Sequence, residues 1–390
     1  MIELCDKIDC TGCGACYAAC PKQAITMKPD AEGFLFPEID SELCVSCTLC
    51  QKVCPILTPV PKNEKVEGPL AAVAKSETLR KSSSSGGMFS LLAQQIIAEG
   101  GVVFGAVMNE QKLVLHQKAE SVDELAAMRG SKYMQSNTQL TYREVKQFLK
   151  QGRKVLYTGT PCQIAGLYGY LGKADRSLLY TADLVCHGTP SSYAFQLYLR
   201  KLAEKEGCQD IKRFVFRDLP GWDCSSSYYY YYKGGELKAV RNQPVHENLY
   251  MRLFLGSFLH REGCYHCRYT TQERVSDLTL ADFWGVGAEK PFAYDTSKGC
   301  SLVLLNTDKG RVLFDSVSSL LDYEQREWAE ALVQNHQLRV VSSRPKGREK
   351  VYAYMVSHTY DETMNHYFNT PYLRVRRMVG NFLRTLHLRK

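Results

Sequence analysis

The chemistry in this sequence sits in its cysteines. Cys10, Cys13, Cys16 and Cys20 are followed by Pro21, and Cys44, Cys47, Cys50 and Cys54 are followed by Pro55, so one C-x2-C-x2-C-x3-C-P pattern occurs twice. Three cysteines spaced two residues apart wrap a tight loop around one cubane of iron and sulfide. The fourth lies too far along to close the same cube and reaches the neighbouring one. The expected sets are therefore Cys10, Cys13, Cys16 and Cys54 on one [4Fe-4S] cluster, and Cys44, Cys47, Cys50 and Cys20 on the other. A zinc knuckle needs only four ligands per site and has no use for the third cysteine of each run. Gly12 and Gly14 are expected to let the backbone pass close to the cluster.

The rest of the composition agrees with reduced, cluster-binding thiols. The chain has 390 residues and 16 cysteines. It shows neither the basic-then-apolar order of an export signal at its first residues nor an apolar run long enough for a membrane helix. A cytoplasmic protein is expected, and cytosolic thiols favour metal ligation over disulfides. The formal charge is +8, but six Lys or Arg and no acid fall within 371–390, so most of that charge lies in one short segment. Nothing points to nucleic-acid recognition.

The elements that must position these groups change character along the chain. Residues 1–57 form a Cys-, Gly- and Pro-rich unit, expected to be an α+β ferredoxin-like two-cluster module, and 58–70 form a connector. From 71 to 345 strands and helices alternate, which predicts a larger α/β domain; 346–390 is expected to be a helical tail. Strands are expected at 102–108, 155–157 and 178–185, with a helix from 191 to 205 and a hairpin around Lys233-Gly234-Gly235. Ser121 to Glu124 reads as a capping box. Cys162 and Cys186 each follow a strand and precede a helix, and in an open α/β sheet such positions gather where ligands bind. With Cys264 and Cys267 they make four thiolates, enough for a third cluster. A redox dithiol or zinc half-site at Cys264 and Cys267, with the other two buried as small apolar residues, is the alternative. Cys5, Cys208, Cys224 and Cys300 fit no pattern and are expected to be free thiols.

Ser82 to Gly87 feeds a helical repeat, Met88, Phe89, Leu92, Ala93, Ile96 and Ile97, that ends at Gly100-Gly101. A Ser/Gly loop at a helix start offers free N–H groups to a pyrophosphate; a flexible connector with a serine cap is the alternative. Chemistry adds a reason to expect a flavin, since clusters move single electrons and most organic reductions need two.

Ser84-Ser85-Gly86-Gly87, Gly159-Thr160-Pro161-Cys162-Gln163, Cys186-His187-Gly188, Cys264-x2-Cys267 and Asp282-Phe283-Trp284-Gly285 occur in this order. Together they resemble the coenzyme F420 hydrogenase/dehydrogenase beta-subunit family, over roughly residues 1–340. The resemblance implies a flavin-binding α/β domain with FAD and a third [4Fe-4S] cluster held by Cys162, Cys186, Cys264 and Cys267. It also implies an FAD phosphate cradle at Ser84, Ser85, Gly86 and Gly87, and a flavin contact from Lys132. It transmits no substrate.

His187 and Asp282 are the acid–base candidates. The alternatives are hydrogen bonding around the cluster for His187 and a turn or cap for Asp282. In the last twenty residues Val375, Met378, Val379, Phe382, Leu383 and Leu386 share a helical face, with arginines largely off it. Such a helix can lie on an anionic membrane, or dock its apolar face on the body or a partner. The expected function is an iron–sulfur flavoprotein oxidoreductase that relays electrons from a ferredoxin-like donor through clusters to FAD and a small organic substrate. A non-catalytic relay subunit beside a redox partner, and a coenzyme F420-linked reductase, are the two alternatives.

Overall fold

The computed structural model describes residues 2–64, 66–217 and 226–370. At the N-terminal end an antiparallel hairpin, β1 (Ile25–Pro29) and β2 (Leu35–Ile39), lies between two short helices, Ala15–Ala19 and Leu49–Lys52. Asp30 Oδ1 accepts from the N–H groups of Glu32 and Phe34 and shapes the hairpin turn.

The body is built on one eight-stranded mixed sheet. Its strands are β3 (Glu67–Ala74), β4 (Val102–Met108), β5 (Val114–Ala119), β6 (Val155–Gly159) and β7 (Leu179–Leu184). After an insertion come β11 (Leu278–Asp282), β12 (Ser301–Leu305) and β13 (Leu321–Gln325). The order is β13-β3-β12-β11-β7-β6-β4-β5. The four central strands β11, β7, β6 and β4 run parallel. Their apolar runs, such as the buried Val155, Leu156 and Tyr157, suit strands covered on both faces. The insertion carries a three-stranded sheet, β8 (Ile211–Val215), β9 (Ser226–Lys233) and β10 (Glu236–Pro244), in the order β10-β9-β8.

Local chemistry explains the main elements. Helix Met88–Ala98 ends where Gly100, at φ +74°, sends its N–H to Ile97 O and Gly101 sends its own to Ile96 O. Gly234 and Gly235, at φ +59° and +82°, close the β9–β10 hairpin in two residues. The tyrosine run of β9 faces both ways. Tyr229 and Tyr231 are buried with their hydroxyls on Glu206, while Tyr232 is exposed. The capping-box bonds between Ser121 and Glu124 form, but the helix itself, Leu125–Met128, starts one residue past them.

Two expectations need correction. Residues 67–70 are strand, not connector: β3 pairs with both β12 and β13, and bonding on both sides outweighs the Gly68-Pro69 turn signal. Helices Arg348–Ser357 and Tyr360–Phe368 are no appended tail. Val351, Tyr352, Met355, Tyr360 and Met364 share one core with Phe195, Tyr198, Phe216 and Tyr250. The basic amphipathic segment from Val375 to Leu386, and Cys224, lie outside the described residues. Among the described residues no helix is long and apolar enough to cross a membrane.

The hairpin unit is clamped to the body. Arg348, 1% exposed, donates to both carboxylate oxygens of Glu32 at 2.7 and 2.6 Å and to His260 O at 2.7 Å. Breaking a buried pair by removing one partner is costly. Arg348→Ala is expected to destabilise the protein by about 3 kcal/mol and to speed proteolysis in the connector before β3, as measured by thermal unfolding and limited digestion. An unchanged midpoint and cutting rate would refute the clamp.

Candidate iron–sulfur centres and flavin site

The eight cysteines of the repeated pattern ring two concavities. One, of about 370 Å³, is lined by Cys10, Cys13, Cys16 and Cys54; the other, of about 360 Å³, by Cys20, Cys44, Cys47 and Cys50. Each concavity thus gathers four cysteines of the repeated pattern. Cys20 and Cys54 stand opposite the runs they follow in sequence, because the two short helices pass their last cysteines across the hairpin unit. Among the described residues no three His, Cys, Asp or Glu side chains converge on a point suited to a single ion.

Two thiols of the first concavity, Cys13 and Cys16, are costly to ionise alone. Burial pushes Cys13 up to about 12 and, with neighbouring thiols, holds Cys16 well above its ordinary value. Cluster iron would remove that cost by taking the thiolates directly. Cys5, which fits no spacing pattern, lies in this same concavity with its Sγ 3.9 Å from that of Cys54. Its S–H bonds to Cys10 and Cys54 hold those two thiols below their ordinary pKa, with Arg261 adding to the effect at Cys10.

The second concavity is the more open. Cys47 is exposed, and Leu43, Val45 and Leu49 around it are 51%, 59% and 39% exposed. Within this set Cys20 Sγ accepts from Ala24 N–H at 3.3 Å.

The third set also assembles. Cys162 interacts electrostatically with Cys186, Cys264 and Cys267. Burial pushes Cys186 up to about 12 and raises Cys162 and Cys264, and the neighbouring thiols add to each. Cys162 lies in the first turn of helix Pro161–Leu171, which opens on a capping box between Thr160 and Gln163. Gln163 Nε2 donates to Ser136 O, and buried Arg274 donates to Asp183 and Leu184 O beneath the Cys186 loop. Cys264 N–H donates to Arg261 O, closing the turn that carries Cys264 and Cys267.

The first and third sets are packed together. A Cβ on Gly166 of helix Pro161–Leu171 would meet Cys13 Sγ at 2.9 Å, and one on Gly169 would collide with Val53 O. The Tyr142 hydroxyl lies 2.8 Å from the carbonyl oxygens of both Cys13 and Gln163. Arg143 donates to Ala18 O and Cys20 O, fixing the chain between the first two sets. Gly12 and Gly14 have a second role beside the concavity they line. A Cβ at Gly12 would meet the Arg261 guanidinium at 2.7 Å, and one at Gly14 would collide with Thr138 Oγ1. Both glycines line the first concavity, as expected, and also make room for side chains of the body.

His116 supports this framework from the sheet. It is buried between Ser136 Oγ, 2.8 Å from Nδ1, and Thr158 O, 2.8 Å from Nε2, and burial lowers its pKa to about 4. The fold keeps it neutral, whereas the unfolded chain protonates it below 6.5. Stability is therefore complete above pH 6.5 and falls as pH drops toward 4, by roughly 3 kcal/mol at the lower end. Denaturant midpoints between pH 7.5 and 5 should fall in the native protein and change less in His116→Gln. Equal slopes in the two would contradict this.

The Ser/Gly loop lies on the same edge of the sheet as the cysteine loops. Cys162 and Cys186 follow the carboxyl ends of β6 and β7, and Asp282 ends β11 opposite Ser301, which in turn pairs with Ala72 of β3. A Cβ on Gly86 would strike Ala72 O, and Gly87 takes φ +92° at the start of helix Met88–Ala98. Ser85 donates to Cys300 O, and Ser84 Oγ accepts from Ser131 N–H at 3.0 Å. The first-turn N–H groups of this helix have no partner within it, and Arg129 reaches the same turn through Ser90 Oγ. Lys132, the flavin contact that the resemblance implies, has its ammonium engaged by the local backbone. Its ammonium donates to the carbonyls of Ala127, Met128, Arg129 and Gly130, and burial lowers its pKa to about 8.

His187 takes Gln337 at Nδ1, 2.8 Å away, and lies edge-on to His260 at 5.1 Å; among the described residues its Nε2 is buried without a hydrogen-bond partner. Asp282 is ion-paired to Arg217 at 2.8 Å. Cys208 and Cys300 line neither concavity.

Comparison with known proteins matches these two parts. Residues 9–56 match the 4Fe-4S dicluster domain, and residues 152–328 match the C terminus of the coenzyme F420 hydrogenase/dehydrogenase beta subunit. One of the subunits of the F(420)H(2) dehydrogenase of Methanosarcina mazei is 25% identical over 79% of this chain and 82% of its own. Ferredoxin Fdx2 of Sorangium cellulosum is 36% identical over 18% of this chain and 71% of its own. A chain of the F420-reducing [NiFe] hydrogenase complex from Methanosarcina barkeri superposes with a TM-score of 0.47 at 15% identity, covering 75% of this chain and 93% of that one. This chain joins a segment matching the 4Fe-4S dicluster domain to one matching the C terminus of the coenzyme F420 hydrogenase/dehydrogenase beta subunit.

Proposed function

We propose that this protein is an iron–sulfur flavoprotein that passes electrons between a one-electron redox partner and a two-electron organic acceptor or donor. The observation that carries the proposal is the gathering of twelve cysteines into three neighbouring sets, two of them in the crossed arrangement. Cys10, Cys13, Cys16 and Cys54 would hold one [4Fe-4S] cluster, Cys20, Cys44, Cys47 and Cys50 a second, and Cys162, Cys186, Cys264 and Cys267 a third. FAD would take its phosphates at Ser84, Gly86 and Gly87 and the first turn of helix Met88–Ala98, with Arg129 as the nearby cation and Lys132 holding the backbone of that segment. When bound, the clusters supply one-electron transfer, and the flavin exchanges single electrons for a hydride.

The protein's own residues do the rest. The exposed Cys47 with its apolar surround offers the second concavity to a redox partner. Gly166 and Tyr142 hold the first and third sets together. His187, which follows Cys186 in the chain and keeps its Nε2 without a hydrogen-bond partner among the described residues, is the group for proton delivery, and the ion pair with Arg217 gives Asp282 a positioning role.

The similarity to a component of an F(420)H(2) dehydrogenase over most of both chains favours the deazaflavin as the hydride partner. Protein purified without oxygen should carry about one FAD per chain, and reduced ferredoxin should bleach that flavin. Absence of flavin would leave a relay subunit without its own substrate. Failure to exchange hydride with coenzyme F420, flavin being present, would leave another organic partner.

A further inference from the structure

Arg261 is 1% exposed, yet among the described residues no carboxylate lies within ion-pair distance of it. The other fully buried arginines differ: Arg274 has Asp183, Arg326 has Glu330 and Arg348 has Glu32. A buried cation without a counter-charge costs several kcal/mol. The partners of Arg261 are carbonyls, an amide and one sulfur. Nε donates to Cys10 O at 2.6 Å, Nη1 to Gln135 Oε1 at 3.1 Å, and Nη2 to Leu35 O at 2.8 Å and to Cys10 Sγ at 3.6 Å. The Phe36 ring lies 4.1 Å under the guanidinium, and Gly12 leaves the space it fills.

Resting on the cluster assignment above, we propose that the anionic cluster of Cys10, Cys13, Cys16 and Cys54 is the counter-charge of Arg261, and that Arg261 raises that cluster's reduction potential. A cluster already negative through its four thiolates gains one further negative charge when it takes one electron from the donor. A fixed cation bonded to a ligand sulfur favours the reduced form, and hydrogen bonds to cluster sulfur act in the same direction. The Cys44 set receives no buried cation among the described residues. The backbone of Arg261 belongs to the third set, since its N–H donates to Thr189 O and its carbonyl accepts from Cys264 N–H. One residue thus fixes the spacing between the first and third sets and the potential of the first.

Redox titration followed by electron paramagnetic resonance tests this. Arg261→Met should lower the potential of one N-terminal cluster and leave the other in place, with iron content retained; Arg261→Lys should lower it less. An unchanged potential at full iron content would overturn the proposal. Should Arg261→Met fail to hold iron, native protein labelled with 15N-arginine gives the answer alone. A nitrogen hyperfine coupling on one reduced cluster is expected, and its absence would overturn the proposal. Native protein without iron would instead overturn the cluster assignment itself.

Discussion

A Cys20→Ala variant is expected to lose the cluster of Cys44, Cys47 and Cys50 and to keep the one of Cys10, Cys13 and Cys16, although Cys20 is the nearer neighbour of the latter in sequence. The reason is spatial. After helix Ala15–Ala19 the chain is held by Arg143 on Ala18 O and Cys20 O, and Cys20 then lines the concavity of the Cys44 run. Iron should fall by about four atoms per chain, and the remaining N-terminal signal should be the one sensitive to Arg261. The reciprocal experiment needs two changes. Cys5 lies 3.9 Å from Cys54 and lines the same concavity, so a thiol stands ready to replace it. Cys54→Ala alone is expected to keep part of the first cluster, and Cys5→Ser with Cys54→Ala to lose it. Loss of the first cluster in Cys20→Ala would show that each run closes its own cage.

Cys264→Ala with Cys267→Ala is expected to remove about four irons and to leave both N-terminal clusters reducible while bound flavin no longer follows. Cys264 and Cys267 supply half of the third set, and the helix carrying Cys162 packs through Gly166 directly on Cys13. Cutting this set should interrupt the only grouping of thiols on the sheet edge that the described residues place against the first concavity. Rapid mixing with reduced ferredoxin, monitoring iron–sulfur and flavin bands separately, reads both outcomes. Flavin reduction at the native rate would exclude the third set from the path.

Much of this was legible in the residue order. The C-x2-C-x2-C-x3-C-P spacing carries the crossing, because cluster geometry leaves a fourth cysteine no other place. The strand ends holding Cys162 and Cys186 could be read because parallel strands are short apolar runs followed by loops. Other features could not be read, because they are long-range packing. Arg261 meets Cys10 across 251 residues, and nothing near Arg261 marks it as the partner of a distant sulfur. The second reason for Gly12 and Gly14, and the reasons for Gly166 and Gly169, exist only where the hairpin unit meets the body. Cys5 lies outside any spacing rule and joins its concavity through the fold alone. Lys132 was legible as a basic residue near the loop, but the local carbonyls that take its ammonium depend on how helix Leu125–Met128 ends.

The claim beneath all of this is that the three thiol sets are cages for iron and sulfide. Iron and acid-labile sulfide counted per chain, in protein made and kept without oxygen, test it most directly. About twelve of each are expected. About eight would remove the third cage, and colourless protein or protein loaded with zinc would contradict the whole account.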